Sequence, residues 1–102
     1  MPQKSFSEKC YAILRKVPKG KVITYKEIAK ALGTKAYRAV GTAMNKNPYA
    51  PQVPCHRVVN SDGRIGGFAS GTNNKITMLR REGIPIKQGK IQNFEKFLFK
   101  FG

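Results

Sequence analysis

The chain predicts a mainly α-helical, α+β fold: one small helical domain with a winged-helix-like helix-turn-helix and short strands around the loop that carries Cys55. Three observations carry this expectation. Ser5-Phe6-Ser7-Glu8 and Thr24-Tyr25-Lys26-Glu27 are capping boxes, each opening an apolar run at helical spacing. A tight Gly33-Thr34 turn joins two short helices, the pattern of a helix-turn-helix. A length of 102 residues with 40% hydrophobic content suits a single compact core and no second one, so 1–102 is expected to fold as one domain.

After Ser5, the residues Phe6, Cys10, Ile13, Leu14 and Val17 form an apolar stripe that Pro18 and Gly20 stop. Cys10 lies on that stripe and reads as a small core hydrophobe. Lys21 to Thr24 leads into a helix of about two turns, with Ile28, Ala29, Ala31 and Leu32 ahead of Gly33. Thr34 is placed to cap a third helix from Lys35 to about Asn45, with Ala36, Ala39, Val40, Ala43 and Met44 on its inner side. At ~100° per residue, Arg38, Thr42 and Asn45 fall opposite that stripe, with Gly41 at its edge. Tyr37 shares this candidate recognition helix.

Asn47-Pro48, Pro51 and Pro54 mark a loop. Arg57-Val58-Val59 reads as extended, Ser61-Asp62-Gly63 as a turn, and Gly66 to Gly71 as a glycine-rich loop that brings backbone close to a ligand. Thr72 or Asn73 caps a last clear helix with Ile76, Met78 and Leu79 inward, Arg80 and Arg81 outward, and Gly83 as its stop. Glu82 faces the negative end of that helix's dipole and so calls for a compensating partner. The tail from Ile84 to Gly102 reads as a strand or turn followed by an amphipathic helix over the core.

Within this frame, Pro54-Cys55-His56-Arg57-Val58 sets a thiol beside an imidazole, and Cys55 reads as a nucleophile. The 20 Lys and Arg against five acidic residues give a formal charge of +15, which favours a polyanionic partner, nucleic acid first. No stretch approaches the ~20 apolar residues of a membrane span, and no secretory signal opens the chain, so a cytoplasmic, intracellular setting is expected. Two cysteines and one histidine make no zinc site at any familiar spacing, and no metal or other cofactor is expected.

The order and spacing of Tyr25 in Ile23-Thr24-Tyr25, Arg38 in Arg38-Ala39-Val40-Gly41, Asn47-Pro48, Val53 to Val59, Gly67-Phe68 and Glu82-Gly83 resemble the O6-alkylguanine-DNA alkyltransferases, over roughly Phe6 to Gly83. The resemblance implies a protein, by default a monomer, that binds double-stranded DNA through the minor groove. It would flip out an O6-alkylguanine and move the alkyl group onto its own cysteine in a single irreversible turnover. Cys55 would be the nucleophile, His56 would act on it through a bridging water, and Glu82 would orient His56. Asn47 would brace the loops, Tyr25 would offer its hydroxyl to guanine N3, and Arg38 would fill the vacated stack. Backbone at Cys55 and Val58 would accept from the guanine amine, the Ala69 amide would meet O6, Phe68 would wall the pocket, and Ser61 would lie by the flipped nucleotide's backbone.

Chemistry supports these residue types independently. Displacement at saturated carbon needs a polarisable nucleophile, and the departing guanine needs a donor as charge develops on it. Extruding a nucleotide costs a few kcal/mol, which an inserted side chain offsets. The chain departs from the family pattern at Tyr37, where a small residue is usual, and at Phe68, where tyrosine is common; the N-terminal domain of longer members is expected to be absent. Three rival readings remain: a noncatalytic alkyltransferase-like binder of alkylated DNA, a Cys/His hydrolase, and a sequence-specific regulator. Cys55 argues against the first, the adjacency of Cys55 and His56 against the second, and the Pro54–Val59 run against the third.

Overall fold

In the computed structural model, which describes residues 5–49, 53–66 and 72–100, the Ser5 hydroxyl accepts the Glu8 backbone N–H at 3.2 Å and caps α1 (Phe6–Leu14). The cap satisfies a donor that the first helical turn leaves without an internal partner. Cys10, Tyr11 and Leu14 form the buried face. The helix stops before Val17, which nevertheless reaches the core from the turn that follows.

Thr24 ends β1 (Ile23–Thr24) and caps α2 (Tyr25–Ala31), its hydroxyl accepting the Glu27 N–H at 3.0 Å. Gly33, at φ +71°, closes α2: its N–H bonds Lys30 O and that of Thr34 bonds Ala29 O. This is a Schellman stop, which needs a left-handed residue at that point. Helix α3 (Tyr37–Asn45) then packs on α1 and α2, so the helix-turn-helix is present.

Two details of α3 differ from its sequence pattern. It begins at Tyr37 rather than Lys35, because Thr34 spends its hydroxyl on the Ala36 N–H two residues on, and no side chain caps the helix. Its buried stripe is Val40, Ala43 and Met44; Ala36 and Ala39 are exposed. Ala36 precedes the helix, and Ala39 lies ~100° around from Val40.

Strand β2 (Val58–Val59) pairs in parallel with β1, Ile23 opposite Val58 and Thr24 opposite Val59. Side chains alternate across a strand, and here the alternation divides the interior. Ile23 and Val58 join the cluster under α1, α2 and α3, whereas Val22 and Val59 join Ile65, Leu79, Ile84, Ile86 and Ile91. The single core expected from composition is therefore two, with the ladder between them.

Helix α4 (Thr72–Arg81) buries Leu79, half-buries Ile76 and Met78, and exposes Arg80 and Arg81. Gly83, at φ +88°, supplies a second Schellman stop, with its N–H on Arg80 O and that of Ile84 on Leu79 O. The tail differs from expectation. Strands β3 (Ile86–Lys87) and β4 (Lys90–Ile91) form a hairpin, and α5 (Phe94–Phe97) is only four residues long. Val22 donates to Phe97 O and accepts from Phe99 N, so after Phe97 closes α5 the apolar run continues through Leu98-Phe99 as an extended edge beside the first strand rather than as a helix face. Among the described residues, no helix is long and apolar enough to cross a membrane.

Candidate active site and nucleic-acid interface

Pro54 (φ −82°, ψ 69°) breaks the loop into a 3₁₀ turn over Cys55–Arg57, with the Arg57 N–H on Pro54 O at 2.9 Å. Arg57 was expected to be extended; it instead closes the turn, and its side chain reaches Glu82 and the Val17 carbonyl beyond the end of the first helix. Cys55 opens the turn with 8% of its surface exposed, unpaired with Cys10 and packed into the first core cluster. A thiol so placed is shielded.

His56 is 3% exposed, and its Nε2 lies 2.8 Å from Glu82 Oε2. Arg57 holds the same carboxylate with two parallel bonds, Nε to Oε1 and Nη2 to Oε2, both at 2.8 Å, and donates from Nη1 to Val17 O at 2.9 Å. The partner that Glu82 needs at its helix end is thus a guanidinium fork plus an imidazole. Burial pushes the Glu82 carboxyl up, but the bonds from Arg57 and His56 outweigh it and hold the group below its ordinary range. Burial pulls His56 down, against the opposing pull of Glu82. Because an ionised Glu82 can only accept, the neutral ring carries its proton on Nε2 and leaves Nδ1 as acceptor.

Lys75 was not singled out by the sequence. It is 1% exposed, and its Nζ donates to Val58 O at 2.6 Å. Burial lowers its pKa to about 8, only partly offset by the charge of Cys55. The sequence signal was its spacing: Lys75 stands four residues before Leu79, so a charge sits on the buried stripe of α4.

Tyr25 is the first residue of α2, half-buried, and its phenol is pushed up first by burial and then by the nearby Cys55. With Lys26, Tyr37, Arg38, Gly41, Asn60 and Ser61 it lines a cleft of about 390 Å³. Arg38, Thr42 and Asn45 are exposed on α3, as the wheel predicts, and Tyr37 is 44% exposed. Asn47 braces its loop from both sides: Nδ2 donates to Val53 O at 2.8 Å, and Oδ1 accepts from Tyr49 N at 2.9 Å. The structure thus joins His56 to Glu82 next to Cys55 in the turn and gathers Tyr25, Arg38, Tyr37, Gly41 and Ser61 around the cleft; Tyr25, which packs against the cluster holding Cys55, connects the two. Phe68 and Ala69 lie outside the described residues. Asn60 and Lys26 join the cleft without having been expected there. Among the described residues, no group of His, Cys, Asp or Glu could hold a metal.

A helix-turn-helix whose exposed helix borders a cleft, in a chain of formal charge +15, defines the class: a small basic helix-turn-helix domain. The chain belongs to the family described as the DNA-binding domain of 6-O-methylguanine DNA methyltransferase, whose model matches residues 5–84. It is 47% identical over 78 residues to the methylated-DNA–protein-cysteine methyltransferase of Methanosarcina barkeri, covering 76% of this chain and 49% of that protein. The chain spans about half the length of the curated relatives it matches. Among solved structures, O6-methylguanine-DNA methyltransferase of Pyrococcus kodakaraensis is 50% identical with a TM-score of 0.73, over 79% of this chain and 47% of that one. Atl1 of S. pombe, in complex with damaged DNA containing O6-carboxymethylguanine, is 34% identical with a TM-score of 0.83, over 98% of this chain and 99% of that one.

Proposed function

We propose that the chain is a single catalytic and DNA-binding unit that repairs O6-alkylguanine in double-stranded DNA by irreversible transfer of the alkyl group to Cys55. The observation that carries this reading is the placement of a shielded Cys55 beside a carboxylate-held His56, on the segment that leads into the cleft bordered by Tyr25 and Arg38. In the reaction, the thiol proton passes through a bridging water to the imidazole. The sulfur bonds the alkyl carbon as the carbon–O6 bond breaks, and the bonding pair stays with guanine. Tyr25, kept protonated by its raised pKa, gives its proton to guanine N3, and the proton taken by His56 restores the phenol through solvent. The product thioether offers water no activated carbonyl, so the protein acts once.

On the recognition side, Arg38 projects from α3 beside the cleft and takes the place of the extruded base, while α3 tracks the minor groove. Ser61, at the opposite rim, lies by the flipped nucleotide's backbone. The formal charge of +15 supplies the sequence-independent part of DNA affinity. Action on DNA is consistent with an intracellular, monomeric protein.

The end-to-end match to Atl1 favours a second reading, a module that binds alkylated DNA without repairing it. One experiment separates the two. Incubation with an oligonucleotide containing O6-methylguanine is expected to add ~14 Da to the peptide bearing Cys55, the mass of one captured methylene equivalent. Tight binding with Cys55 unmodified would establish the binder instead.

A further inference from the structure

Glu82 is asked to serve two donors. One of its oxygens, Oε1, is taken by Arg57 alone, and the other, Oε2, is shared between Arg57 Nη2 and His56 Nε2. Arg57 is anchored from behind by its bond to Val17 O, so the fork cannot swing away to leave the carboxylate to the imidazole. Planar, bidentate pairing of this kind has a fixed geometry and a strong charge-assisted character. Left alone with a buried carboxylate, a histidine is drawn toward the imidazolium form, which has no acceptor nitrogen and cannot take a proton.

We propose that Arg57 is a positioning residue for alkyl transfer: by neutralising Glu82 through both oxygens, it keeps that carboxylate orienting His56 without protonating it, so that Nδ1 stays available to the Cys55 proton. This rests on the transfer reading above but concerns a separate residue and a separate measurement. The charged and titratable groups around the ring act in the same sense or are accounted for. Lys75 of α4 and Arg57 itself disfavour the imidazolium, Glu82 at the end of α4 favours it, and burial disfavours it. Cys55, the ring's neighbour in the chain, is the group whose proton it receives.

His56 is the sole histidine of the chain, so its titration can be followed without ambiguity by NMR of the ring carbons in the DNA-free protein. In Arg57→Gln, the midpoint of His56 protonation is expected to rise by about one pH unit or more, a tenfold change in that equilibrium. Arg57→Lys, which keeps the charge but not the fork, is expected to fall between it and the parent; it is the variant to rely on if the glutamine fails to fold. In the double variant Arg57→Gln/Glu82→Gln, the rise should disappear. Alkyl transfer by Arg57→Gln should then be slowed near neutrality and recover as pH is raised past the new midpoint. A merely structural role for Arg57 would slow transfer equally at every pH. An unchanged His56 midpoint in folded Arg57→Lys and Arg57→Gln overturns the proposal, even where alkyl transfer itself proceeds. A protein that titrates as expected but never modifies Cys55 overturns the transfer reading and leaves the arginine's hold on the pair standing.

Discussion

Tyr25 meets opposite demands at one atom. In the proposed transfer its phenol must be acidic enough to give up a proton when charge develops on a leaving group, yet protonated beforehand. Burial and the neighbouring Cys55 both push it toward the protonated form. Removing the hydroxyl while keeping the ring isolates the first demand. Tyr25→Phe is expected to slow alkyl transfer by about 10²-fold, the scale of one lost transition-state donor. Its thermal unfolding and undamaged-DNA affinity should stay near the parent's. An unchanged single-turnover rate would remove the proton-donor role.

Helix α4 shows how an element can be built against its own stability. Lys75 is carried into the interior on the stripe that buries Leu79, and its pKa near 8 against an ordinary 10.5 means that the charged form is disfavoured by roughly 3 kcal/mol on folding. The folded pKa is depressed, so the unfolded chain holds that proton to higher pH. Stability therefore rises with pH between about 8 and 10.5. Lys75→Met keeps the bulk but strands the Val58 carbonyl, costing about 1–3 kcal/mol. The net expectation is a variant about 1 kcal/mol more stable near neutrality, with the advantage shrinking above pH 8 as the parent lysine discharges. Urea melts at the two pH values read this directly, and a less stable variant near neutrality would show that the bond to Val58 outweighs the buried charge.

At this scale, what the sequence discloses and what it hides divide along a physical line. The Ser5 and Thr24 caps, the glycine stops at Gly33 and Gly83, and the outward face of α3 are set by bonds within a few residues, and they were legible. The need of Glu82 for a partner was also legible, because a helix end fixes the sign of the local field. The identity of that partner was not. Arg57 reaches Glu82 across 25 positions and Val17 across 40, and its fork depends on a 3₁₀ turn that the pattern of Arg57-Val58-Val59 conceals. The late start of α3 turned on one competing bond of Thr34. The tail misled because consecutive phenylalanine and leucine suit a half-buried extended edge as well as a helix. Among the proposed site residues, Cys55, His56, Tyr25 and Asn47 owed their legibility to a recognisable motif more than to periodicity.

For the molecule as a whole, charge and shape act together. Lys26, beside Arg38 in the cleft with Tyr25, and Lys30 and Lys35, in a neighbouring groove with Tyr37, collect on the side that α3 presents. If that side meets a duplex, the logarithm of affinity should fall linearly with the logarithm of salt, at about 0.9 per phosphate neutralised. Replacing Lys26, Lys30 or Lys35 singly with alanine should reduce the slope by about one and weaken damaged and undamaged DNA alike. Fluorescence anisotropy across a salt series tests this, and slopes unchanged in all three variants would move the binding face elsewhere.

The two-rung parallel ladder between Ile23-Thr24 and Val58-Val59 has a last consequence. Tyr25 is the residue that follows one rail, and the turn bearing Cys55 is what precedes the other. The spacing of Tyr25 and Cys55, the proposed donor and nucleophile, is thus fixed by a pair of rungs, while α2 and α3, the helices proposed to read the duplex, are an excursion looped out between them. On the proposed function, such a layout uncouples the reader from the reactor: substitutions can drift across the excursion's outer surface, retuning which helices of nucleic acid it grips, and leave Tyr25 and Cys55 in register.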